Sequence, residues 1–231
     1  MMDSAEFDKF AEEYSTMHGD SIRASGEGPE YFAEYKVRDV ARHLAAHEIS
    51  AQKVLDFGCG IGGSVPCFRQ HLANSQLTCV DVSQKSLDIA KSRFPAAALY
   101  QLFDGETLPF EDGTFDVIFT ACVFHHIPAD EHVPLLSELR RVLAPDGVFF
   151  VFEHNPLNPL TVRVVRDCPF DENAVLLSAR ELRTRLASAQ FTSIKCRYRI
   201  FFPRVLRVLR HLENILGWCP LGAQYYLTAR K

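Results

Sequence analysis

The stretch Lys53 to Gly63, KVLDFGCGIGG, places four glycines within six residues directly after a short apolar run. Val54-Leu55-Asp56-Phe57 reads as a buried strand, and Gly58, Gly60, Gly62 and Gly63 let the chain turn tightly before Ser64 to Leu72 reads as a helix. Such a loop lets a ligand approach the main chain and points N–H groups at a polar or anionic group. The same alternation then repeats. Strand-like runs occur at Lys53 to Phe57, Gln76 to Asp81, Ala97 to Leu102, Phe115 to Thr120 and Gly147 to Glu153. Helical patterns lie between them at Ser64 to Leu72, Ser83 to Arg93 and Pro128 to Leu143, so the chain predicts a parallel α/β sheet with right-handed crossovers.

The flanking parts depart from this pattern. Helix-like segments at Asp3 to His18 and Pro29 to Ile49 surround the linker HGDSIRASGEG. After the repeat come a helical stretch Ser178 to Gln190, a strand Thr192 to Phe202, an amphipathic segment Arg204 to Leu216 and a last strand Ala223 to Arg230. A length of 231 residues, 47% apolar, suits a single domain of this class. The start is acidic where a signal peptide would be basic, and no apolar run approaches the ~18 to 20 residues that span a bilayer, which predicts a cytoplasmic location. The seven cysteines include no C-x-x-C and no Cys/His set at zinc spacing, which speaks against disulfides and a metal site. The net charge of −4 conceals an asymmetry: residues 1–160 hold 12 Lys/Arg against 24 Asp/Glu, and residues 161–231 hold 13 against 5. The basic C-terminal part either faces an anionic substrate or membrane surface or carries arginines on solvated helix faces.

Gly58, Gly60 and Gly63 satisfy the dinucleotide pattern G-x-G-x-x-G, which leaves dehydrogenases, methyltransferases and a mere tight turn open. Asp81 narrows the choice. It ends the second strand 21 residues beyond Gly60, where an acidic group can accept from both hydroxyls of a ribose; its bland alternative is a helix N-cap. After the third strand, Asp104-Gly105-Glu106 offers a carboxylate for an exocyclic amino group such as adenine N6, or else forms a solvated turn.

These residues together make the chain resemble a class I S-adenosylmethionine-dependent methyltransferase of the small-molecule type, similar to enzymes that methylate quinone precursors and lipids. Val54 to Gly62 matches the first motif, Val80-Asp81-Val82-Ser83 the ribose motif and Asp104 to Phe110 the adenine motif. Thr114 to Ile118 with Phe124-His125-His126-Ile127 matches the fourth strand and its exit, and Arg141 to Gly147 the approach to the fifth. The resemblance covers residues 53–153 and implies a Rossmann-like, doubly wound, seven-stranded sheet with an antiparallel last strand. It implies one domain: an N-terminal helical cover (1–50), a cofactor-binding core (51–155), and acceptor-side helices and final strands (156–231). Asp56, Gly58, Cys59, Gly60, Asp81, Val82, Asp104, Gly105 and Ala121 are the cofactor residues it implies, with Tyr14 near the methionine end. Two departures stand out. A helical insertion, Pro203 to Gly222, separates the last two strands, and Ala189-Gln190-Phe191 replaces the usual glycine before the sixth.

Methyl transfer is an in-line displacement, so such an enzyme mainly aligns an electron-rich O, N or C with the methyl group and excludes water. A base is required only where the acceptor must lose a proton. His126, His154 and His125, at the exits of the fourth and fifth strands, are the candidates, since an imidazole titrates near neutral pH. The expected acceptor is a small organic molecule, anionic or lipid-linked if Arg163, Arg166, Arg204, Arg207 and Arg210 serve it through peripheral membrane contact or two-point anion binding. A nucleic-acid methyltransferase is disfavoured by the acidic body and by Ala121 to His126, where an Asn/Asp-Pro-Pro-Tyr type of motif would stand. A nicotinamide oxidoreductase is disfavoured by Asp104 and the antiparallel ending, and a catalytically idle binding module by the intact cofactor motifs.

Overall fold

The computed structural model describes residues 26–231. The expected helix at Asp3 to His18, and Tyr14 with it, lie outside the described residues. Seven strands form one sheet in the order β3-β2-β1-β4-β5-β7-β6. They are β1 (Lys53–Phe57), β2 (Gln76–Asp81), β3 (Leu99–Leu102), β4 (Phe115–Ala121), β5 (Leu143–His154), β6 (Thr192–Arg199) and β7 (Gln224–Arg230). β1 to β5 pair in parallel, whereas β7 runs antiparallel to both β5 and β6. The doubly wound sheet with an antiparallel last strand is therefore as expected.

Successive residues of a strand face opposite sides, and the core divides accordingly. Val54, Val117, Phe119, Phe150 and Phe152 bury against Phe32, Tyr35, Val40 and Leu44 of α1 (Pro29–Ala46), with α2 (Val65–His71) and α3 (Gln84–Arg93) on that same face. Leu55, Ile118, Phe149 and Val151 bury on the other face against α4 (His132–Val142) and α6 (Ala179–Ser188). Both layers require fully apolar inner strands. That is why β4 and β5 read as near-continuous hydrophobic runs.

Several elements differ from the sequence reading. β5 begins at Leu143 rather than Gly147, because Phe115 pairs Leu143 before the register jumps to Val117 with Val148. The polar, proline-containing stretch Ala144 to Gly147 bulges between those pairs and hides the strand's start. A helix at Pro159–Arg166 (α5) was not expected; Asn158 caps it by accepting from Leu160 N and Thr161 N. Helix α6 ends in a Schellman turn, with Phe191 N donating to Leu186 O and Gln190 N to Ala187 O, and Gln190 takes φ +65° where glycine is usual.

The insertion between β6 and β7 differs most. Arg204–Leu212 is a 3₁₀ helix, kinked at Leu206, that leads into a four-residue α-helix, Glu213–Leu216 (α7). Its sequence, RVLRVLRHL, repeats every three residues, and a 3₁₀ helix eclipses i with i+3. Arg204, Arg207 and Arg210 thus form one row, Leu206, Leu209 and Leu212 a second, and Val205 and Val208 a third. Val205 is 86% exposed and Val208 73%. The amphipathic α-helix expected over Arg204 to Leu216, in which Val205 and Val208 would share a face with Leu209 and Leu212, is not formed.

Candidate active site

At the carboxyl end of β1 the chain crosses to β2: the N–H groups of Gly58 and Cys59 both donate to Val80 O, at 2.9 and 3.1 Å. Gly58 (φ +72°) and Gly60 (φ +51°) carry the left-handed turns this requires. The Gly60 N–H then donates to Asp81 Oδ2 at 2.8 Å, while Asp81 Oδ1 accepts from Ser83 N at 2.9 Å. Asp81 thereby ties the glycine loop to the exit of β2, and Ser83 caps α3 through Ser86 N. The side of Gly60 where a side chain would sit has nothing within 4 Å.

That open side faces a cavity of about 1180 Å³ above the carboxyl ends of the strands. The cavity has two poles. Asp56, Gly58, Cys59, Gly60, Asp81 and Val82 line one, and Ala121, His125, His126 and His154 line the other. Asp104 and Gly105 do not line it. Asp104 is exposed and accepts from Glu106 N and Thr107 N, each at 2.8 Å, and these bonds to its charged form lower its pKa. Its neighbour Phe103 lines the cavity in its place. Asp56 is fully buried, its Oδ2 has no hydrogen-bond partner among the described residues, and burial, reinforced by Asp81, lifts its pKa to about 8.

The histidine pole is held from four directions. β4 leaves the sheet through Cys122, at φ +60°, into a 3₁₀ turn at Phe124–His126. Glu153, near the end of β5, accepts from Phe124 N at 2.8 Å and from His125 Nδ1 at 2.6 Å. Asp171, from a 3₁₀ turn after α5, places Oδ1 3.6 Å from His125 Nε2 and 3.4 Å from His126 Nε2. Gln224, opening β7, donates to His154 Nδ1 at 3.3 Å and accepts from the Tyr35 hydroxyl of α1. Lys36, beside it on α1, sits 3.6 Å from Cys122 Sγ.

Burial penalises every charge here, yet the groups part in opposite directions. Burial alone would depress His125, but Glu153 and Asp171 overcome it and raise it to about 10, so His125 holds its proton at neutral pH. Desolvation and the facing imidazolium lower half-buried His154 to about 4, and burial also lowers His126. Burial pushes Asp171 upward, but the two histidines hold its carboxyl well below the usual range. A charged imidazole between two carboxylates thus lies beside two neutral ones. Such divergence marks a site built for proton handling or ligand binding.

Of the groups that build this pole, Asp171, Gln224, Tyr35 and Lys36 carry no motif in the sequence. A polar Gln opening the apolar run YYLTAR was a visible signal; Asp171, in DCPFDEN, had none. The predicted arginines scatter. Arg163 lines the cavity beside Asp167 (3.6 Å), and Arg166 is paired with the same residue outside the cavity lining. Arg204 donates to Gly26 O at 3.2 Å, and Arg210 pairs with Glu27 at 2.8 Å and covers the Tyr31 ring. Those two tether the insertion to the chain entering α1.

A family model described as a methyltransferase domain matches residues 55–151, the glycine loop through β5. The chain is therefore similar to S-adenosylmethionine-dependent methyltransferases. It is 38% identical over 110 residues to an uncharacterized methyltransferase of Synechocystis sp., a match that covers 46% of this chain and 50% of the relative. With the trans-aconitate 2-methyltransferase of Methylobacterium nodulans it shares 29% identity over 197 residues, 81% of this chain and 74% of the relative. The chain thus spans half the length of the Synechocystis relative and about three quarters of the other. In fold it resembles a methyltransferase from Thermotoga maritima, with a TM-score of 0.68, 19% identity and 98% of each chain covered.

The cofactor that this likeness implies is S-adenosylmethionine, and the residues present fit it. Asp56 offers a buried acceptor oxygen lacking a partner, Gly60 an open main-chain face and Asp81 a carboxylate at the adjoining strand end. Among the described residues no helix is long and apolar enough to cross a membrane.

Proposed function

We propose that this methyltransferase transfers a methyl group from S-adenosylmethionine to an O, N or C atom of a small organic acceptor. The observation that carries this reading is the single cavity joining the glycine-loop pole to the histidine pole. At about 1180 Å³ it exceeds the ~300 to 1,000 Å³ usual for one ligand and so has room for cofactor and acceptor together. When bound, S-adenosylmethionine supplies an electrophilic methyl group on a sulfonium. Gly58, Cys59, Gly60, Asp81 and Val82 would hold it together with Asp56 and Phe103, and Ala121 marks the passage toward the acceptor.

The remaining work falls to this chain's own side chains. Alignment of the acceptor against the methyl group supplies much of the rate. With no cation bound beside it, His125 keeps its proton and is a fixed, charged donor. His154 and His126 are neutral, so either can take a proton from an acceptor hydroxyl or amine. His154 is the better placed to cycle: turning the Gln224 amide exchanges its N and O, and the Tyr35 hydroxyl donates or accepts, so both tautomers of His154 find a partner. For the acceptor, the name of the trans-aconitate relative supports a small anion. Exposed Leu160, which lines the cavity beside Arg163, supports a lipid-linked one.

The test is release of S-adenosylhomocysteine across a library of small acids, phenols, amines and lipid-linked phenols. His154→Ala should cost ~100-fold in turnover while leaving S-adenosylhomocysteine affinity intact. If S-adenosylhomocysteine does not bind, the reading fails at its base. If it binds and His154→Ala turns over normally, the base assignment fails alone.

A further inference from the structure

We infer that His125, His126 and Asp171 form a binding site for one divalent transition-metal ion, with Glu153 fixing His125 as a ligand. The Nε2 atoms of both histidines and a carboxylate oxygen of Asp171 all lie within 4.8 Å of one another. The Asp171 separations, 3.4 and 3.6 Å, are those of atoms sharing one tetrahedral ion at ~2.0 to 2.2 Å. Neighbouring sequence positions supply only two of the three ligands. Asp171 arrives from beyond α5, which is why no ligand spacing is visible in the chain.

A second observation points to a cation independently. His125 donates its Nδ1–H to Glu153 at 2.6 Å, both side chains are 1% exposed, and Glu153 is itself fixed by Phe124 N. A buried carboxylate that orients an imidazole through its far nitrogen is the usual support of a metal-bound histidine. With Nδ1 so committed, His125 turns Nε2 toward the Asp171 carboxylate, and the bound cation displaces the Nε2 proton and takes its place between them. Two imidazoles and one carboxylate suit zinc, cobalt or iron(II) better than calcium or magnesium, which prefer all-oxygen shells. All three ligands line the cavity, so the remaining coordination positions face the acceptor space. The site therefore selects an acceptor that presents a hydroxyl or carboxylate oxygen, and His154, outside the ligand set, stays available as the base.

The experiment strips the full-length protein with a chelator, removes the chelator and titrates with Co²⁺, followed by calorimetry and visible absorption. One equivalent should bind, and Asp171→Asn and His126→Gln should each weaken it at least ~10-fold. Glu153→Gln should weaken it ~10- to 100-fold although it removes no ligand. All seven cysteines remain in every variant, so any ion held by thiols persists and is subtracted. Failure of the parent to bind one equivalent overturns the site, as does parental affinity in folded Asp171→Asn and His126→Gln. S-adenosylhomocysteine affinity measured on the same samples separates the two proposals. Its retention without Co²⁺ binding defeats the metal site alone, and its loss with Co²⁺ binding retained defeats the methyltransferase reading alone.

Discussion

Replacing Gly58 and Gly60 separately by alanine distinguishes a loop glycine needed for the fold from one needed for the ligand. Both have positive φ, so each alanine carries a backbone cost of ~1 to 2 kcal/mol. Their surroundings differ. A Cβ at Gly58 would lie 2.5 Å from Val123 Cγ2, whereas one at Gly60 meets nothing within 4 Å. Overpacking adds ~1 to 3 kcal/mol at Gly58. With ~2 to 4 °C of melting temperature per kcal/mol at this size, Gly60→Ala should lower the apparent Tm by ~2 to 8 °C and Gly58→Ala by ~4 to 20 °C. Ligand binding should respond differently. The Gly60 methyl projects into the cavity where the main chain would meet the cofactor, so S-adenosylhomocysteine affinity by calorimetry should fall at least ~10-fold in a protein that remains folded. Parental affinity in Gly60→Ala would refute the placement of the cofactor at this pole.

Three further outcomes are expected. Asp81→Ala should weaken S-adenosylhomocysteine tens-fold or more, since a hydrogen bond to a charged group contributes ~1.5 to 3 kcal/mol; unchanged affinity in the folded variant removes the ribose assignment. His154 is depressed to about 4 when folded, so between pH 4 and about 6.5 the unfolded chain binds its proton more readily and stability rises with pH, by ~3 kcal/mol in all. His154→Gln should flatten that acid limb in urea melts, while the contribution of His125, raised when folded, is complete below about 6.5 and fades toward about 10. Gln190→Gly should relieve the left-handed C-cap of α6 and stabilise by about 1 kcal/mol, checked by urea midpoint; a loss of stability would mean that the Gln190 side chain contributes more than its backbone strain costs.

The core was legible because its strands are buried on both faces. Runs such as Val117-Ile118-Phe119 have no other use in a chain of this class, and the glycines with Asp81 lie at fixed distances along a single crossover. The histidine pole was legible only where residues are neighbours in sequence. His125, His126, Glu153 and His154 stand at two adjacent strand exits, but Asp171, Gln224, Tyr35 and Lys36 converge from a 3₁₀ turn, an antiparallel strand and a covering helix. No local pattern records that meeting, since each is a single polar residue in its own element. Asp104 shows the reverse: its motif was visible, yet its side chain closes a solvated turn outside the cavity lining.

The insertion shows why periodicity has to be tested against more than one helix. RVLRVLRHL fits an α-helical apolar face loosely and a three-residue repeat closely, and the second period separates residues that the first merges. Val205 and Val208 are left facing solvent, and the arginine row divides by contact. Arg204 and Arg210 hold the segment entering α1, whereas exposed Arg207 has no hydrogen bond or ion pair among the described residues. Charge reversal of the whole row would therefore confuse a loosened tether with a lost ligand. The informative variant reverses Arg207 and Arg163 alone, the second lying on the cavity wall and 75% exposed. Surface charge changes of this kind cost little stability, within ~0.5 kcal/mol each, so Tm should hold. If an anionic or membrane-borne acceptor approaches over this rim, Arg163→Glu with Arg207→Glu should raise its KM several-fold and reduce sedimentation with vesicles containing phosphatidylserine, both effects shrinking with added salt. Unchanged KM and vesicle binding at low salt would reduce these arginines to a solvated surface and leave a neutral small molecule as the acceptor.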